Sequence, residues 1–144
     1  MRVIGCLNNK SSTSSLKLNN NKFKNVIRSN EFNIFSDADG ANEELLYYSQ
    51  NNIHLVLSGY ITNGHGSTDN KSGNILKLII DDYLIKNAEC FDSLDGSYFV
   101  VLWDGNKKTL YLNRDIYGTK LLYYYFSPAN EFVFSNNLNT ILKV

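Results

Sequence analysis

Cysteine and histidine are scarce in this sequence, which has two of each in 144 residues. Cys6 and Cys90 have neither the close spacing of a zinc site nor the density of a disulfide scaffold, which agrees with a reducing compartment. One disulfide between them remains compatible with the sequence. His54 and His65 are distant from each other and have no cysteine or carboxylate constellation, so no metal site and no cofactor are expected. An excess of one charge is also absent, because 14 basic residues balance 14 acidic ones. Without a Lys/Arg block, nothing in the chain recruits a nucleic acid or an anionic membrane. Long hydrophobic runs are missing too. The stretch from Ile75 to Ile80, broken by Lys77, falls far short of the roughly 20 residues that span a bilayer. Met1 to Leu7 reaches polar Asn8 too soon to supply the apolar region of a signal peptide. A soluble, cytoplasmic protein is expected.

What is present suits a globular chain. A hydrophobic fraction of 43% and an aromatic fraction of 13% support one domain over residues 1–144 with a modest core. Val3 to Leu7 is short, apolar and partly β-branched, as in a buried strand, and the Asn/Ser/Thr/Lys tract from Asn8 to Asn21 predicts a loop. The core resumes near Phe23. Phe32 to Phe35, Leu45 to Tyr48 and Ile53 to Leu57 predict antiparallel strands, with a turn at Asp37-Ala38-Asp39-Gly40. From Gly73 to Lys86, Ile75, Leu76, Ile79, Ile80 and Tyr83 recur at helical spacing, leaving Asp81, Asp82 and Lys86 for solvent. Tyr98 to Trp103 and Leu110 to Leu112 flank Asp104-Gly105, whose glycine suits the positive φ of a tight turn. Leu121 to Phe126 and Phe132 to Phe134 predict a second hairpin around Pro128-Ala129-Asn130, and a short last helix begins near Ser135 or Asn136, either of which can cap it. These elements define an α+β domain.

Two phrases are more specific. Leu94-Asp95-Gly96-Ser97-Tyr98-Phe99-Val100-Val101-Leu102-Trp103-Asp104 is followed by Arg114-Asp115-Ile116-Tyr117-Gly118-Thr119-Lys120-Leu121-Leu122-Tyr123-Tyr124. They resemble L-D-G-x-F-A-F-x-x-W-D and R-D-x-x-G-x-K-P-L-Y-Y of the class II glutamine amidotransferase domain that begins asparagine synthetases. Phe134-Ser135-Asn136-Asn137-Leu138-Asn139-Thr140-Ile141-Leu142 follows the family's F-x-S-E-x-K-x-L loosely. The resemblance implies an Ntn-type fold, two stacked antiparallel sheets between helical layers. One layer is expected to be thinned, since relatives carry a helix where Asn63 to Lys71 is a polar loop.

The same resemblance locates the chemistry and finds it altered. Active relatives expose a terminal cysteine whose α-amine activates the thiol against the side-chain amide of glutamine. Their M-C-G-I-x-G-I places Arg2 at the nucleophile, and a guanidinium stays protonated and cannot attack a carbonyl. Cys6 falls at a glycine of the first strand, where a small buried side chain is the plain reading. Its catalytic alternative requires removal of residues 1–5, which takes away most of that strand. Ser58-Gly59-Tyr60-Ile61-Thr62-Asn63 stands after a strand where relatives have N-G-E-I-Y-N, so Ser58 replaces the oxyanion-hole Asn and Tyr60 the Glu. Losing one oxyanion donor costs about 10²–10³ in rate. Lys71-Ser72-Gly73-Asn74 occupies the place of an acidic S-D-T-E clamp, and no counterpart of the R-L-S segment is found near Phe32 to Phe35.

The remaining candidates have plainer readings. His54, between Ile53 and Leu55, predicts a solvent-facing strand position, while His65 between two glycines is open to a ligand contact. Arg114, Asp115 and Lys120 are expected to shape a turn or an interface toward a synthetase half, with Gly118 supplying an unusual backbone angle. Cys90 is expected to pack. Among Tyr123, Tyr124 and Tyr125, at least one ring must face outward or into a partner.

Nucleophile-lacking branches of the family include β-lactam synthetase-like enzymes and lasso-peptide cyclases, in which a following ATP-dependent half forms the amide. No S-G-G-x-D-S motif occurs before Val144, so no synthetase domain is expected within these residues. The leading expectation is a non-catalytic amidotransferase-like protein that binds or stabilises a separately encoded synthetase, acting on a peptide or small molecule. One alternative is a glutaminase or amidotransferase activated by exposing Cys6. Another is a free-standing module that binds a small ligand in the remnant glutamine pocket at Ser58, Gly59 and Tyr60.

Overall fold

The structure is a computed structural model that describes residues 2–7, 23–28, 31–37, 45–62, 74–128 and 131–143. Its elements are β1 (Val3–Leu7), β2 (Phe23–Arg28), β3 (Phe32–Asp37), β4 (Leu45–Gln50), β5 (Ile53–Ile61), α1 (Asn74–Lys86), a 3-10 helix (Asn87–Ser93), β6 (Gly96–Asp104), β7 (Thr109–Arg114), β8 (Tyr123–Phe126), β9 (Phe132–Ser135) and α2 (Leu138–Ile141). Most of the predicted loop from Asn8 to Asn21, most of the turn after Asp37, and Asn63 to Gly73 with His65 lie outside the described residues. The fold class is α+β with two antiparallel sheets, as expected of the Ntn type. The chain forms two compact units, Met1–Glu43 with Leu121–Val144, and Glu44–Lys120.

The first unit holds a five-stranded sheet in the order β2-β3-β1-β9-β8. β1 sits at its centre because its apolar residues bury on both faces. Val3 and Ile4 are inaccessible to solvent, along with Phe32, Ile34 and Phe134. Fully burying each such side chain is worth about 1.5–3 kcal/mol. Gly5 is required by close approach, since a Cβ there would meet the Phe134 ring at 2.0 Å. The last residue of β9 and the one after it fasten β1. Asn136 Oδ1 accepts from the Val3 N–H at 2.7 Å, and the Ser135 hydroxyl donates to the Val3 carbonyl at 2.6 Å. Neither residue is therefore the helix cap. That role falls to Asn137, whose side chain accepts from the Thr140 N–H, and α2 then packs Ile141 on Ile4, Cys6 and Val133.

The second unit is a meander, β4-β5-β6-β7, carrying α1 on one face. Leu76, Ile79, Ile80 and Tyr83 pack on Leu55, Leu57, Val100 and Leu102, which is the contact the helical spacing predicted. The Tyr83 hydroxyl donates to Asp104 Oδ2 at 2.8 Å, and Lys107 Nζ stands 4.9 Å from the Tyr83 ring centre. Asp104 thereby ties the helix to the β6–β7 hairpin, and its Oδ1 accepts from the N–H groups of Asn106 and Lys107.

Two further local expectations are corrected. The positive φ of that hairpin belongs to Lys108, at 54°, and not to Gly105. A Cβ at Gly105 would meet the side-chain amide of exposed Asn52 at 2.5 Å, which would have to turn aside. The strand predicted to end at Leu57 continues to Ile61, placing Ser58, Gly59 and Tyr60 inside β5. Its entry is a two-residue turn in which Asn51 and Asn52 both take positive φ, 53° and 62°, as a type I′ hairpin requires.

Candidate functional site

Arg2 precedes β1 and is committed to Asp37 at the end of β3. Its backbone N–H donates to Asp37 Oδ1 and its Nε to Oδ2, while the Asp37 N–H donates back to the Arg2 carbonyl at 3.0 Å. The Asp37 side chain is buried. Burial pushes its carboxyl up, but the amide and guanidinium of Arg2 outweigh this and hold it below the usual carboxylate range. Position 2 thus holds an ion pair. Asp37 was visible in the sequence only as a turn residue; a lone carboxylate 35 positions away gives no local signal of such a pair.

Cys6 lies within β1, between Asn33 of β3 and Val133 of β9. Burial pushes its thiol up to about 11, and the charge of Glu131 adds to this. A nucleophilic cysteine works as the thiolate, which this setting disfavours. Cleavage after Gly5 would remove the rungs that Val3, Ile4 and Gly5 make with Ser36, Phe35 and Ile34. Cys90 is likewise buried and pushed up to about 11, chiefly by desolvation, and both cysteines are free thiols.

In the second unit, Ser58 is fully buried, and its Oγ has no hydrogen-bond partner among the described residues. It pairs with Phe99, so its hydroxyl lies on a face shared with apolar Val56 and Val101. Gly59 has φ of 100°, and a Cβ there would meet the Ser97 carbonyl at 2.0 Å. Gly96 has φ of 146°, and its Cβ would meet the Tyr60 carbonyl at 2.2 Å. Gly59 and Gly96 therefore let β5 and β6 close at this end. Tyr60 is exposed.

The turn after β7 is built around Asp115. Its buried carboxylate accepts from the Tyr117 and Thr119 N–H groups, each at 3.1 Å, and from the Thr119 hydroxyl at 2.6 Å. The Tyr98 N–H adds a longer bond at 3.3 Å. Burial alone would raise the Asp115 carboxyl, but the Thr119 hydroxyl and backbone donors lower it from 3.8 to about 2. Gly118, at φ of 64°, closes the turn beside the Arg114 guanidinium. Thr119 also bonds the Ser97 hydroxyl at 2.7 Å, and Ser97 stands opposite Tyr60 in the β5–β6 ladder. The structure thus joins the Ser58–Tyr60 segment to the Arg114–Lys120 turn through Ser97 and Thr119, two residues the sequence reading passed over. Asp115 is spent inside the turn, whereas Arg114 is exposed and Lys120 half-buried. At its tip Ile116 and Tyr117 are 89% and 83% exposed.

His54 is half-buried, not free in solvent, with its Nδ1 3.0 Å from the Tyr47 hydroxyl and the two rings stacked. Burial lowers its pKa. Among the described residues no cluster of three or more His, Cys, Asp or Glu side chains is arranged to hold a metal, and no helix is long and apolar enough to cross a membrane.

The family described as glutamine amidotransferase domain matches residues 30–143. The chain belongs to that family. A relative is the putative asparagine synthetase 2 (glutamine-hydrolyzing) of Methanocaldococcus jannaschii, 30% identical over 76 residues, which is 53% of this chain. The match covers 15% of the relative's length. Ser58, Gly59, Tyr60, Arg114, Asp115 and Lys120 fall within the amidotransferase match, whereas Arg2 and Cys6 precede it.

Proposed function

We propose that this amidotransferase-family chain is non-catalytic toward glutamine and that it binds or stabilises an ATP-dependent synthetase that forms amides in a peptide or small molecule. The observation that carries the reading is the Arg2–Asp37 pair. The residue at the nucleophile position offers a protonated guanidinium, and its backbone nitrogen is a donor to a carboxylate. Ser58 supports it from the second unit, with a buried hydroxyl in place of the oxyanion-hole amide. The partner-facing half of the proposal draws on the Asp115 turn. Its internal hydrogen bonds preorganise an aliphatic and an aromatic side chain, flanked by exposed Arg114, as interface anchors are built.

Purified protein incubated with glutamine should release no glutamate. Turnover that disappears in Cys6→Ala would instead establish the leader-removal enzyme. In the native cell, an ATP-dependent amide ligase should co-purify with the wild-type chain, and the Ile116→Ser, Tyr117→Ser double variant should recover much less of it. Equal recovery of the ligase by the double variant would remove this turn from the interface.

A further inference from the structure

We infer that the β8 edge of the first unit's sheet pairs with a second copy of this chain. β8 is the outer strand, with no strand beyond it among the described residues. Antiparallel ladders alternate between residues that direct N–H and C=O toward the partner strand and residues that direct them away. The Ser127 N–H donates to the Glu131 carbonyl at 2.8 Å, continuing the register that pairs Tyr125 with Val133 and Tyr123 with Ser135. Tyr123 and Tyr125 therefore face β9. Tyr124 and Phe126 direct their backbone groups out of the sheet.

The same two residues carry the strand's most exposed side chains, 71% and 62% accessible, on one face beside Phe132. Monomeric proteins usually blunt such an edge with lysine, proline or a bulge. Here Leu121 to Ser127 reads Leu-Leu-Tyr-Tyr-Tyr-Phe-Ser, without charge, proline or glycine.

A second copy of the strand fits this edge. Two copies of β8 laid antiparallel about a two-fold axis through Tyr125 place Tyr124 of each opposite Phe126 of the other. Both are outward-directed residues, so each pair exchanges two backbone hydrogen bonds and every outward group of the two residues is satisfied. The pairs bring Tyr124 and Phe126 rings together across the strands, a favourable aromatic pairing. No like charges meet, because the strand has none. The contact is isologous and closes as a dimer, making one continuous sheet from two units.

Light scattering on the eluting protein should give a dimer, and amide exchange should show Tyr124 and Phe126 protected at high concentration and unprotected on dilution. Tyr124→Pro deletes only an outward N–H, which a strand edge tolerates. Symmetry removes two bonds per dimer, so the dissociation constant should rise about 5- to 150-fold. Phe126→Lys, which leaves the backbone intact, should also yield monomer and keeps the test valid if the proline variant does not fold. A wild-type monomer at every soluble concentration would overturn the inference. So would a dimer that survives Phe126→Lys, or amides at 124 and 126 that become protected only when a synthetase is added.

Discussion

At Ser58 a buried hydroxyl with no partner among the described residues costs stability. Ser58→Ala should therefore leave urea stability unchanged or raise it by up to about 1 kcal/mol, whereas a comparable change at a bonded serine lowers it. Asp115 behaves oppositely. Its folded pKa, about 2, lies below its ordinary 3.8, so it contributes stability that is fully present above about pH 4 and lost as pH falls toward 2. Urea midpoints in that window should decline for the wild type, and Asp115→Asn should be less stable at neutral pH with a shallower acid decline. The sequence named Asp115 but not its use. Its spacing to Thr119 is local, yet the bonds to Tyr98 and the link through Ser97 depend on strand pairing that the phrase alone does not specify. Arg2 was singled out by the family resemblance. Its partner Asp37 was not, since pairing across a sheet leaves no mark in sequence spacing.

At the scale of elements, hydrophobic periodicity located α1 and most strands, and the ends were set by contacts it does not contain. β5 runs on past Leu57 because Gly59 and Gly96 tolerate positive φ where the two backbones nearly touch. Asp104 resembled a turn residue, and it is that, but it also anchors α1 through Tyr83. Tyr83→Phe should cost about 1.5–3 kcal/mol in urea unfolding, with the m-value unchanged, as expected for a bond to a charged acceptor. In the first unit, Gly5→Ala drives a methyl into the Phe134 ring and should destabilise by about 1–3 kcal/mol. Adding Phe134→Leu to Gly5→Ala should recover part of that loss, a non-additivity that a double-mutant cycle measures.

For the molecule as a whole, family and fold class were legible from the last third of the chain, because those phrases encode the glycines and carboxylates that the β5–β6 ladder, the β6–β7 hairpin and the turn after β7 use. Loss of activity, as proposed, involves several distant positions. On that proposal Arg2→Cys alone should give no glutamate release, because the changes proposed at Ser58 and Tyr60 would remain. The division into units also sets an order of events. Glu44–Lys120 is continuous and can make its contacts as it is synthesised. β1, however, needs β9, and its Val3–Asn136 bond spans 133 positions. At about 5–20 residues per second, one side of β1 stays open on the ribosome for roughly 7 to 27 seconds. The central strand of the first sheet is thus among the last to be enclosed, and during that interval Val3, Ile4 and Cys6 are the residues that a chaperone would have to shield.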